Sequence, residues 1–175
     1  MHNNVHIFYY QLIIFIGDIM VNKINKNLFI SIVIPLVVGI ISGLISTGGV
    51  REYNTLIKPP LSPPGFLFPI VWTILYILMG YSSYLIYESN DYNRNCCLKV
   101  YLLNLFVNFL WTPIFFGLNL RLFSLIWIIV LDVVVVYMIL CFYKINKKAG
   151  YLNIPYLIWC LFATYLNLMF YILNR

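Results

Sequence analysis

Apolar residues in this chain run in long, nearly unbroken blocks, without the short alternation of a half-buried strand. Five blocks approach the ~20 residues needed to cross a bilayer core: roughly Leu28–Thr47, Phe66–Tyr87, Leu98–Phe116, Leu122–Tyr143 and Ile154–Leu173. The prediction is an all-α fold, an integral membrane bundle of five transmembrane helices spanning residues 28–175, with residues 1–27 as an N-terminal segment. Short connectors predict antiparallel packing of sequential helices. No internal repeat is visible, which argues against an inverted-repeat transporter.

Inside the blocks, polar and aromatic residues recur at steps of three and four, the spacing of one helix face. The second block carries Trp72, Tyr76, Met79, Ser83 and Tyr87; the third carries Tyr101, Asn104, Asn108, Trp111 and Phe115; the fifth carries Tyr156, Trp159, Ala163 and Asn167. Asparagines facing lipid are costly, so these stripes should face the bundle interior. An aromatic wall with a few polar handles is the usual make-up of a small-molecule site. Asn104 and Asn108 have a second reading, as bonds from helix to helix. Asp132, mid-span in the fourth block, is likewise either a functional carboxyl or a protonated acid bonded to a neighbour. Gly39 and Gly43 form a small-xxx-small pair that permits close helix contact, within the bundle or between protomers.

The one long connector, Gly48–Gly65, holds Pro59, Pro60, Pro63 and Pro64. Proline fixes φ and removes a donor, so this segment should be an extended, stiff lid over the bundle.

Composition agrees with a membrane protein. Hydrophobic residues make up 63%, charged residues 9%, and mean hydropathy is +0.91, against about 25% charge in soluble domains. The net charge of +6 is spread between apolar blocks, which excludes a nucleic-acid footprint and leaves the lipid bilayer as the expected surrounding. Seven Lys and Arg flank the N-terminal side against four on the other, so the N-terminus is expected inside and the proline loop outside. The only histidines are His2 and His6, and Cys96, Cys97, Cys141 and Cys160 lack metal-site spacing. Neither a metal centre, a cofactor nor a catalytic nucleophile pair is expected. The apolar stretch Val5–Ile16 is too short to span, and Met20-Val-Asn-Lys reads as a membrane-protein start, so Met20 is favoured as initiator with 1–19 untranslated. Leu168 to Arg175 fits a loose sterol-contact pattern that many helix ends share.

Lys58-Pro59, Pro63-Pro64, Val71-Trp72-Thr73, Leu75-Tyr76 and Met79-Gly80-Tyr81 resemble the signature loop and second helix of the translocator protein family. That family is also known as tryptophan-rich sensory proteins or peripheral benzodiazepine receptors. The resemblance continues through Asn108, Trp111, Pro113-Ile-Phe-Phe-Gly117, Pro155-Tyr-Leu-Ile-Trp159 and Leu166-Asn167. It implies a five-helix bundle, often a homodimer, that binds tetrapyrroles such as protoporphyrin, and other flat hydrophobic molecules. By motif position it implies pocket residues Asn108, Trp111, Trp159 and Ala163, with Tyr53, Pro59 and Pro60 near the lid. The Ile-, Asn- and Lys-rich usage adds a bacterial plasma membrane as the expected location. The candidate ligand-binding set is therefore Tyr53, Pro59, Pro60, Trp72, Tyr76, Asn104, Asn108, Trp111, Trp159, Ala163 and Asn167.

The chain departs from the family pattern in places. Glu52-Tyr53 stands where Trp-Tyr is usual, Asn104 replaces a glutamine, and Leu61 replaces a loop tryptophan implicated in porphyrin breakdown. The fourth-span acid of some members aligns with Trp127, so Asp132 is not inherited. Leucine has no aromatic system for radical chemistry, which disfavours a porphyrin-degrading enzyme. The expected function is tetrapyrrole binding as sensor or transporter, with a membrane scaffold holding an incidental pocket as the other alternative.

Overall fold

A computed structural model describes residues 26–45, 56–118 and 120–174. These residues form α1 (Lys26–Ile45), α2 (Leu67–Tyr87), α3 (Arg94–Thr112) continued by a π-helical turn (Pro113–Gly117), α4 (Arg121–Ile145), a short α5 (Lys147–Tyr151) and α6 (Ile154–Leu173). No strand occurs among the described residues. Among the described residues five helical stretches are long and apolar enough to cross a membrane. Four span boundaries fall within a few residues of the sequence reading; α3 begins earlier, at Arg94. The choice of initiator falls outside the described residues.

Helix α1 packs most intimately on α2 and also touches α3; α3 packs on α4, and α4 on α6. The ring closes between α2 and α6 through aromatic side chains: Phe68 meets Trp159 edge-on at 6.0 Å and Trp72 meets Tyr156 at 6.1 Å. Helix α1 sits at the periphery, burying only Pro35 and Ser42.

Prolines inside the spans explain two of the closest contacts. A proline cannot donate to the carbonyl four residues earlier. Pro113 therefore leaves the Phe109 carbonyl without its helical donor, and Ser42 Oγ of α1 donates to that carbonyl at 3.1 Å. Past Pro113 the helix widens to the five-residue repeat, with Leu118 N donating to Pro113 O at 3.1 Å. In the same way Pro35 frees the Ser31 carbonyl, and Gly80 of α2 lies directly against Ser31 and Ile32 backbone. In the Gly39/Gly43 pair, Gly39 abuts the Tyr76 ring within the bundle, whereas a Cβ at Gly43 would meet nothing within 4 Å.

At the end away from the proline loop, Asn153 Nδ2 donates to Ser82 Oγ at 2.6 Å and to Ala149 O at 2.9 Å, tying α5 to α2. Trp127 Nε1 donates to Val107 O at 2.8 Å and ties α4 to α3.

Gly80→Ala should lower thermal stability in detergent by about 1–3 kcal/mol, the usual cost of overpacking, because its new methyl has only backbone to displace. Gly43→Ala should be neutral or stabilising, since alanine favours helix and the space is open. Equal melting shifts for the two variants would contradict the α1–α2 contact.

Candidate ligand site

The stripes seen in the sequence converge in one buried chain of hydrogen bonds. Tyr76 of α2 donates its hydroxyl to Asn108 Oδ1 at 3.1 Å. Asn108 Nδ2 donates to Tyr156 Oη of α6 at 2.8 Å. Tyr156 in turn donates to Asn104 Oδ1 at 2.9 Å. All four side chains are buried. Because Asn104 and Asn108 are one helical turn apart, both reach the same tyrosine. Each hydroxyl proton is used, and each asparagine carbonyl accepts, so the layer is closed within the protein.

Above this layer, toward the proline loop, lies a cavity of about 400 Å³ between α1, α2 and the end of α3. Phe68, Trp72 and Tyr76 form one wall, and Trp111 and Phe116 another. Gly39, Ser42 and Gly43 of α1 supply a third side of small residues. Trp72 lies against Tyr76 at 5.4 Å with planes tilted by 30°, and Trp111 stacks on Phe115 at 5.5 Å and 20°. No charged side chain lines the cavity among the described residues. Trp111 is only 5% exposed, yet its indole N–H has no hydrogen-bond partner. A small void of about 20 Å³ adjoins it, shares Phe68, Trp111 and Phe116, and reaches Ala163 and Asn167.

The described part of the proline loop makes a tight turn where an extended segment was expected. Ser62 N donates to Pro59 O at 3.2 Å, and Leu61 has φ 66°. Proline in the second place and positive φ in the third are the marks of a type II turn, where glycine is usual. Leucine in that conformation is strained, by roughly 1–3 kcal/mol. The turn is held from outside. Tyr165 Oη donates to Pro60 O at 3.1 Å. Ile57 N donates to Asn174 Oδ1 at 2.9 Å, and Asn174 Nδ2 donates back to Ile57 O at 3.1 Å.

The candidate residues thus divide. Trp72, Tyr76 and Trp111 line the cavity, and Ala163 and Asn167 line the adjoining void. Asn104 and Asn108 line neither, being committed to Tyr156. Trp159 lines neither; it packs on Phe68 and, at 5.6 Å, on Phe162, with its indole N–H buried and unpartnered. Pro59 is buried in the turn and Pro60 is exposed; Tyr53 lies outside the described residues. Leu61 lines neither space and is 79% exposed. Asp132 Oδ2 accepts from Thr164 Oγ1 at 2.7 Å, away from both spaces. Phe68, Tyr165 and Asn174 went unnoticed in the sequence, and Phe116 entered only as part of the Pro113–Gly117 motif, not as a site residue. Among the described residues no cluster of His, Cys, Asp or Glu is arranged to hold a metal ion.

A family model described as TspO/MBR matches residues 31–173. The chain belongs to the TspO/MBR family. A tryptophan-rich protein TspO of Archaeoglobus fulgidus is 37% identical over 149 residues, covering 85% of this chain and 97% of that protein. The TspO of Chlorobaculum tepidum is 38% identical over 126 residues, 70% and 78% of the two chains. The human translocator protein is 34% identical over 122 residues, 68% and 72%. As a TspO/MBR protein the chain is a multi-pass membrane protein.

Asn108→Leu deletes two of the layer's hydrogen bonds and strands the buried Tyr76 hydroxyl, while Tyr156 keeps its bond to Asn104; Tyr76→Phe deletes one and strands only a carbonyl. With interhelical bonds worth ~0.6–2 kcal/mol each, Asn108→Leu should lower stability about twice as much as Tyr76→Phe. Melting in detergent checks this; no loss from Asn108→Leu would show that the layer carries no load.

Proposed function

We propose that the chain binds tetrapyrroles of the protoporphyrin type, and other flat hydrophobic molecules, in the aromatic cavity between α1, α2 and the end of α3. In this reading it acts as a sensor or transporter in a bacterial plasma membrane. The observation that carries the proposal is the cavity wall itself: Trp72 and Tyr76 face Trp111 and Phe116 across about 400 Å³, within the usual size of ligand pockets. Aromatic faces suit a planar conjugated ring. The buried Trp111 N–H supplies a donor for a ligand oxygen, such as a carboxylate. Among the described residues no His, Cys or Met lines the cavity, and Tyr76 Oη donates to Asn108, so the site favours a porphyrin without iron over haem. Names among the relatives, "tryptophan-rich sensory protein" from Cereibacter sphaeroides and "translocator protein" from animals, support sensing or transport in those proteins. Leu61, exposed and outside the cavity, supports binding over photochemical breakdown.

Protoporphyrin added to purified protein should quench tryptophan fluorescence. Trp72→Ala should weaken its affinity about tenfold, the order of one aromatic contact and its buried area. Trp127→Phe should leave affinity per folded molecule unchanged, because that indole bonds Val107 instead of lining the cavity. Equal weakening by the two variants would overturn the assignment.

A further inference from the structure

A second cavity, of about 290 Å³, opens between α1, α2 and α3 at the end of the bundle opposite the proline turn. Its place follows from helix register. Ser83 comes seven residues after Tyr76 on α2, and Tyr101 seven before Asn108 on α3, so about two helical turns separate it from the lid cavity. The hydrogen-bonded layer lies between the two.

The two spaces differ in chemistry. Aliphatic side chains line both the α1 and α3 sides here, Ile30 and Ile34 from α1 and Leu98 and Leu102 from α3, with Tyr87 on the α2 side. Ile30, Ile34 and Leu102 are also exposed on the outer surface, so in a bilayer the cavity opens sideways to hydrocarbon. At its base sits Tyr101, only 4% exposed. Its hydroxyl faces Ser83 without completing a hydrogen bond, and Ser83 Oγ donates to Gly80 O at 2.9 Å. A buried donor without an acceptor is costly, more so where no water competes. The rim is polar. Asn27 Nδ2 donates to Glu88 Oε1 at 3.0 Å, and Arg94 Nη1 donates to Ser89 O at 3.0 Å. These residues mark the level at which hydrocarbon gives way to headgroups.

We infer that this cavity is a binding site for one acyl chain of a membrane lipid, with the Tyr101 hydroxyl donating to the chain's ester carbonyl. A flexible hydrocarbon fits aliphatic walls, as a flat ring fits the aromatic ones above. The ester carbonyl is the acceptor that a lipid carries at the rim of the hydrocarbon layer. The site shares no lining residue with the lid cavity, so it stands or falls independently of tetrapyrrole binding.

The test uses the full chain, delipidated in detergent, titrated with dioleoyl phosphatidylglycerol or its ether-linked counterpart, which lacks the ester carbonyls. Native mass spectrometry reads the fraction carrying one lipid. The ester lipid should bind about fivefold more tightly, the size of one hydrogen bond within a membrane. Tyr101→Phe, which removes only the donor, should abolish that preference. Leu98→Trp, which fills the cavity, should reduce binding of both lipids, with circular dichroism confirming retained helix. Equal binding of ester and ether lipids by the natural chain, or a preference unchanged in Tyr101→Phe, would overturn the inference.

Discussion

The bundle depends on a single run of hydrogen bonds in a place with no water to replace them. Tyr76, Asn108, Tyr156 and Asn104 join α2, α3 and α6 through donors and acceptors that all find partners inside the protein. In hydrocarbon, apolar packing gives little preference for one helix arrangement over another, so polar contacts and close approach decide it. The layer fixes which residues of α2 and α3 face α6. It thereby places Trp72, packed at a tilt on Tyr76, at the edge of the lid cavity. It also closes the space below that cavity.

Proline supplies the second constraint. Pro35 and Pro113 each remove a helical donor, and each loss coincides with a close interhelical contact. Ser42 donates to the carbonyl that Pro113 abandons. Gly80 lies against the backbone where Pro35 leaves Ser31 without its donor. Gly39 and Ser42, which meet α2 and α3 at close range, also line the cavity together with Gly43, beside which the space is open. Close packing on one side of α1 and open space near the loop thus come from one stripe. The lid repeats the pattern: prolines remove donors, and Tyr165 and Asn174 of the last span supply the partners that hold the turn.

Much of this was legible in the sequence because membrane helices advertise themselves by length and apolarity. The steps of three and four also identified the interior faces, and Trp72, Tyr76 and Trp111 do share a cavity. Spacing tells which face a residue takes but not whom it meets. Asn104 and Asn108 therefore carried two readings, and the structure shows them bonded from helix to helix. The turn at Leu61 was hidden because its positive φ calls for glycine, and leucine gives no such signal. The tethers from Tyr165 and Asn174 bridge more than a hundred residues, beyond any local pattern. The aliphatic cavity near Tyr101 was invisible for a simpler reason: Ile30, Ile34 and Leu102 are indistinguishable in sequence from ordinary lipid-facing residues.

The central claim is that the layer is a closed floor and the ligand sits above it, between the aromatic walls of α2 and α3. An experimental structure with protoporphyrin bound tests this most directly. The account predicts the ring against Trp72 and Trp111, a ligand oxygen within hydrogen-bond distance of Trp111 Nε1, and the contacts from Tyr76 to Asn104 intact. A porphyrin lodged between α2 and α6 against Trp159, with Asn108 or Asn104 turned to bond it, would contradict the account.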